Sequence, residues 1–304
     1  MINKVIVLLS TYNGEKYLKE QLESLFLQKD VDVSVIVRDD GSSDGTCQIL
    51  DTYKDKFSLE WYKGKHCGVQ KSFMELMKMA SSKDFDYFAF CDQDDVWDED
   101  KLRVGLRKVR KCEARWKSDI PVLYYSGQRL VDKNLNLIGN HTLKRHRTDY
   151  ARFLVNDAAG CTEVFNRNLL DVVNRYEPRY ILSHDTWILK VCLAVGGKII
   201  VDPEVHLSYR QHDNNTVGVK RDIISKIRKA KNYISGQNIS KQMSELKKGY
   251  SDRIVSDYME IIDDVSSYKN SFSTKKRLLS FRRFYFEDIG LQMVYALNVL
   301  FNKV

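Results

Sequence analysis

Several things that would divert a chain from ordinary globular folding are scarce or absent in this one. Proline occurs three times in 304 residues, which excludes a proline-rich linker. The six cysteines, at 47, 67, 91, 112, 161 and 192, contain no C-x-x-C pair. That spacing speaks against a zinc site or a disulfide framework and fits a reducing compartment. No uninterrupted apolar run reaches the roughly 18 residues a membrane span needs. Met1-Ile2-Asn3-Lys4 leads directly into a strand-like run and lacks the cleavage pattern of a signal peptide. The expected location is cytoplasmic. Internal repeats and low-complexity tracts are missing as well.

What is present suits a folded enzyme. Hydrophobic residues make up 43% and charged residues 30% of the chain, enough to bury a full core. The net charge of +8 is segregated. From Lys220 onward there are 17 basic and 9 acidic residues, so the whole excess lies in that stretch and the body before it is neutral. A basic tail on a neutral body points to a polyanionic surface, either nucleic acid or the anionic face of a membrane. Division into residues 1–218 and a basic, helical 219–304 follows.

Short apolar runs alternate with helix-length segments through the first half. Strands are predicted at Val5–Leu9, Val33–Val37, Leu59–Tyr62 and Tyr87–Cys91, with helices at Glu15–Gln28, Asp44–Lys56 and Gln70–Ala80. This rhythm implies an α/β fold with a mainly parallel sheet flanked by helices. Farther on come a strand at Val122–Tyr125, a helix at His184–Ala194 and closing strands at Ile199–Val201 and Val205–Tyr209. The polar stretches between 112 and 182 stay unassigned. Ligands of such sheets bind beyond the carboxyl ends of the strands.

Three polar clusters occupy those ends: Ser10-Thr11-Tyr12-Asn13-Gly14, then Asp39-Asp40-Gly41-Ser42-Ser43-Asp44, then Asp92-Gln93-Asp94-Asp95. Asp-Gly-Ser after a strand is, taken alone, a turn with a helix cap. Three carboxylates within four residues repel one another and raise each other's pKa. A divalent cation relieves that repulsion, and oxygen ligands suit Mg²⁺ or Mn²⁺; a solvated acidic loop is the other reading.

Taken in order, these three motifs resemble family-two glycosyltransferases of the GT-A fold, closest to the rhamnosyltransferase-like branch that builds bacterial surface polysaccharides. The resemblance covers roughly residues 3–218 and implies an inverting enzyme using a UDP- or dTDP-sugar. It places Thr11, Tyr12, Glu15, Asp40, Lys71 and Asp92 at the nucleotide, with Asp40 on the pyrimidine edge. Asp92-x-Asp94 becomes the D-x-D motif, Asp94 the ligand of Mn²⁺ or Mg²⁺, and Asp95, Gly160 and Cys161 neighbours of the donor sugar. His66 stands where the family usually has Asn, and Lys71 reads equally as a surface lysine. Asp185, in Ser183-His184-Asp185-Thr186-Trp187, becomes the catalytic base; by the capping rule alone, Ser183 caps a helix and Asp185 complements its dipole. His212 is a further metal ligand, a phosphate donor or a structural histidine. The acceptor implied is a lipid-linked or polymeric glycan.

Basic and aromatic residues mix at helical spacing over Arg277–Phe286 and Leu291–Phe301. Two readings stand: an amphipathic segment at the inner membrane face, or packing on the body or in a dimer seam. Two other functions fit the residues less well. A sugar nucleotidyltransferase needs a Gly-rich loop with an Arg after the first strand, where this chain has Thr11-Tyr12-Asn13-Gly14-Glu15. A nucleic-acid-binding scaffold would bring phosphates against acidic clusters, so no nucleic-acid partner is expected.

Overall fold

The computed structural model describes residues 3–116, 119–211 and 238–303. Strands β1 (Asn3–Thr11), β2 (Val31–Asp39), β3 (Leu59–Lys63) and β4 (Tyr87–Cys91) pair parallel with one another. They are connected by α1 (Leu18–Phe26), α2 (Thr46–Lys54) and α3 (Val69–Ala80). All seven elements fall within a few residues of their hydrophobic patterns. Alternation explains the burial of both sheet faces. Val5, Val7 and Leu9 enter one core, Ile6 and Leu8 the other.

The second half supplies β5 (Val96–Trp97), α4 (Lys101–Trp116), β6 (Val122–Val131), β7 (Leu137–His141), α5 (Asp149–Leu154), β8 (Val164–Asn166), α6 (Arg167–Asn174), α7 (His184–Ala194) and β9 (Lys198–Arg210). The sheet order is β3-β2-β1-β4-β8-β6-β9-β5, with β7 added on β6. β8 is antiparallel to both β4 and β6, whereas β6 and β9 are parallel. The sheet is therefore mixed and mainly parallel, as the α/β rhythm implied.

The two closing strands predicted at 199–201 and 205–209 are one strand, β9. Its register against β6 jumps from Ser126↔Asp202 to Gly127↔Val205, leaving Pro203 and Glu204 without partners in the ladder. Proline has no N–H to give, so the irregularity falls where the break had been read.

Helices α8 (Ile239–Tyr250), α9 (Ser256–Ser267), α10 (Phe272–Leu278) and α11 (Ile289–Leu300) follow. Ile239, Met243, Tyr258, Ile262, Phe284, Phe286 and Tyr295 join the same buried cluster as Phe73 and Trp187 of the sheet-covering helices. Packing on the body thus accounts for the buried aromatics of the tail, though not for its exposed ones. Among the described residues no helix is long and apolar enough to cross a membrane.

Candidate active site

The carboxyl ends of β1, β2 and β4 open onto one cleft of about 500 Å³, whose lining includes Tyr12, Asp40, His66, Asp92, Asp94 and Tyr209. The first and third motifs are tied across its floor by Gln93. Its Oε1 accepts from Thr11 Oγ1 (2.6 Å) and Tyr12 N (2.8 Å), and its Nε2 donates to Tyr12 O (3.2 Å). Sequence reading passed over Gln93 because an amide between carboxylates carries no chemistry of its own.

Asp40 is buried, and its carboxylate is well supplied with donors. Oδ1 accepts from the Arg38 guanidinium and from Cys67 N (2.9 Å). Oδ2 accepts from Gly68 N (2.9 Å) and lies 3.0 Å from His66 Nδ1. Burial alone would raise its pKa; Arg38 and the two backbone N–H groups hold it below the usual carboxylate range. Gly68 reaches this position at φ +87°, a conformation glycine tolerates and side-chain-bearing residues rarely adopt. Above this floor the rings of Tyr12 and His66 stand 4.5 Å apart, tilted by 38°, forming one wall of the cleft.

Three nucleotide-side candidates, Thr11, Glu15 and Lys71, lie outside the cleft lining, Thr11 being buried against Gln93. The Glu15 carboxylate accepts from Gly45 N (2.9 Å), bracing the loop before α2, and Lys71 is exposed on the first turn of α3.

The acidic motif divides by depth. Asp94 faces the cleft. Asp95 is fully buried; its Oδ1 accepts from Arg210 N (3.2 Å), while its buried Oδ2 has no hydrogen-bond partner among the described residues. Asp92, Asp95 and Cys161 offer ligand atoms within 4.8 Å of one another. Burial, then the charges of Asp94 and Asp185, raise the Asp92 pKa; burial, then Asp94 and Asp92, raise that of Asp95. Burial also keeps the Cys161 thiol protonated, so it is a poor ligand beside the carboxylates. Crowded carboxylates with an unsatisfied buried oxygen suit a hard divalent cation.

Gly160 and Cys161 sit on a 3-10 turn, Gly160–Thr162, that ends at β8. A Cβ on Gly160 would stand 2.5 Å from His184 Nε2. That imidazole is stacked on Phe73 (3.8 Å) and edge-on to Phe90 (4.7 Å), and burial lowers its pKa to about 4. His184 is therefore a neutral packing residue.

The next residue, Asp185, opens α7. Its Oδ1 accepts from Thr186 N (2.6 Å) and from the Ser183 hydroxyl. The Ser183 side chain makes no cap bond to the helix backbone, contrary to the capping rule, although its carbonyl accepts from Trp187 N (3.1 Å). Asp185 is not among the residues lining the cleft, but its charge, after burial and Asp94, helps raise the Asp92 pKa. Glu163, fully buried with no hydrogen-bond partner on either oxygen among the described residues, is a neighbour that sequence reading missed; burial, then Asp185, raises its pKa. His212 lies outside the described residues.

The sequence profile of Glycosyl transferase family 2 matches residues 6–173. The chain belongs to that family. This glycosyltransferase is 31% identical over 222 residues, 69% of its length and 73% of the other's, to a dTDP-rhamnosyl transferase, RfbG, of Shigella flexneri. It is 27% identical over 172 residues, 55% of its length and 62% of the other's, to the Escherichia coli UDP-Glc:alpha-D-GlcNAc-diphosphoundecaprenol beta-1,3-glucosyltransferase WfgD. Its GT-A fold matches a mannosyltransferase from Pyrobaculum calidifontis, solved with GDP-Man and Mn²⁺, at a TM-score of 0.56. That match has 13% identity and covers 99% and 88% of the two chains.

Proposed function

We propose that this glycosyltransferase inverts the anomeric centre in one displacement, moving a sugar from a UDP- or dTDP-linked donor to a hydroxyl of a lipid-linked or polymeric surface glycan. The observation that carries it is the convergence of the β1, β2 and β4 ends on one cleft, with Asp185, outside its lining, near enough for its charge to help raise the Asp92 pKa. The dTDP- and UDP-sugar names of two relatives, and the diphosphoundecaprenol acceptor of one, support the substrate classes.

The wall of Tyr12 and His66 takes the base, over the floor braced by Asp40. Asp94, aided by Asp92, is the residue to hold Mn²⁺ or Mg²⁺, which when bound neutralises charge on the leaving diphosphate. Asp185 accepts the acceptor's hydroxyl proton as its oxygen bonds to the anomeric carbon; the bond from that carbon to the diphosphate oxygen breaks, and its electron pair leaves with the nucleotide. Ser183 and the Thr186 N–H hold Oδ1 of that base, aiming the carboxylate. Asp95 and the Gly160–Cys161 turn shape the donor-sugar side.

Purified protein incubated with labelled UDP- and dTDP-sugars and Mn²⁺ tests the reading: hydrolysis or transfer is expected with at least one donor, and inertness across the panel overturns it. Asp185→Asn should lower turnover by about 10²–10⁴-fold and leave UDP or dTDP binding unchanged. Loss of nucleotide binding in that variant would remove Asp185 from the role of base.

A further inference from the structure

The last helix, α11, carries no charged residue and has two apolar faces. Val294, Tyr295 and Val299 face the core. On the other side Ile289, Met293, Leu297 and Leu300, continued by Phe301, are between 51% and 77% exposed. Their spacing of four, four, three and one places them in a single stripe along the helix.

The end of that stripe is basic. Lys275 of α10 reaches the Leu300 carbonyl (3.4 Å), which brings α10, with Lys276 and the 85%-exposed Phe272, against the end of α11. Lys303 follows two residues after Phe301. Lys275, Lys276 and Lys303 form no ion pair among the described residues. The acidic residues nearby are committed: Asp288 caps α11 through Leu291 N, Glu287 accepts from His146 N, and Asp264 and Glu260 hold Arg277 and Arg283.

We propose that this face of α11, with the adjoining α10, docks on an anionic lipid bilayer. The apolar stripe enters the headgroup boundary and the lysines meet the lipid phosphates, the division of labour of an interfacial helix. A second copy of the chain is the weaker occupant, since a stable dimer takes about 20–30 residues a side, far more than this stripe offers. The inference deepens the reading above, which supplies a lipid-linked acceptor for such a surface to approach, but its evidence comes from α11 and not from the cleft.

Vesicle flotation of the full chain tests it, comparing phosphatidylglycerol with phosphatidylcholine vesicles. Binding to the anionic vesicles is expected, with a loss of about ten-fold or more in a Met293→Gln, Leu297→Gln, Phe301→Gln variant. A Lys275→Gln, Lys276→Gln, Lys303→Gln variant should show a several-fold loss, matched by wild type in high salt. Melting curves check that the variants fold; should the apolar variant not fold, the lysine variant decides alone. Vesicle binding equal in wild type and folded variants overturns the proposal. So does wild type that ignores vesicles, whether or not it forms a dimer dissolved by the apolar variant. Donor-sugar hydrolysis without vesicles, run in parallel, should be unchanged in both variants. Its absence in wild type would sink the catalytic reading and leave the flotation result standing.

Discussion

Arg38 and Asp40, two residues apart at the end of β2, face each other as a buried ion pair, their side chains 2% and 3% exposed. Arg38 also donates to Glu75 Oε2 (2.6 Å) and to the Lys65 carbonyl (3.0 Å), joining β2, α3 and the loop before α3. The Asp40 carboxylate expected to read the pyrimidine is thus itself held by Arg38 and the 67–68 backbone. Replacing Arg38 with Met strands a buried carboxylate, at a cost of about 3–5 kcal/mol in stability. Urea unfolding should show the loss, and calorimetric titration a weaker UDP or dTDP affinity.

Gly160 has no room for a side chain beside His184. Gly160→Ala should destabilise the protein by about 1–3 kcal/mol, because the imidazole is wedged between Phe73 and Phe90 and cannot retreat. The same change moves the turn carrying Cys161, so turnover should fall along with the melting temperature. An unaltered melting curve would contradict the packing described here.

Asp94 lines the cleft while Asp95 is buried, and the function proposed above gives the contact with both cation and substrate phosphate to Asp94. Asp94→Asn should reduce turnover by about 10²–10³-fold and blunt its dependence on added Mn²⁺. Chelation by EDTA should silence the wild type reversibly. Full activity after exhaustive chelation would remove the metal from the reaction.

His206 on β9 lies between Asp202 and Asp100, at 3.6 and 3.4 Å. Asp202, against the opposing pull of burial, raises its pKa above the usual histidine value. A raised folded-state pKa means the stabilisation is complete below about pH 6.5, the unfolded value. It is lost as pH rises through the higher folded value. Wild-type stability, followed by urea unfolding, should therefore decline across that window, and His206→Gln should flatten the decline. Parallel profiles for the two proteins would exclude the linkage.

The strand ends were readable from the chain alone because the signals there are local. Apolar runs such as Val5–Leu9 and Tyr87–Cys91 specify buried strands, and the Asp, Gly and Ser residues behind them specify turns. Parallel connection then leaves those ends on one edge of the sheet, so the sequence itself implies the convergence of Tyr12, Asp40 and Asp94. The antiparallel β8 was not readable: at three residues, Val164–Asn166, it is too short to show periodicity, and its place between β4 and β6 depends on partners far away in sequence. The depth of neighbouring carboxylates was equally hidden. Asp94 and Asp95 differ by one position, yet one faces the cleft and the other the Arg210 N–H of β9. Local patterning determines which segments form and where their polar ends gather. Only the packing of distant segments, Arg38 under Asp40, β9 behind Asp95 and α10 against α11, decides which of those polar and apolar groups are satisfied internally and which remain for a ligand or a surface.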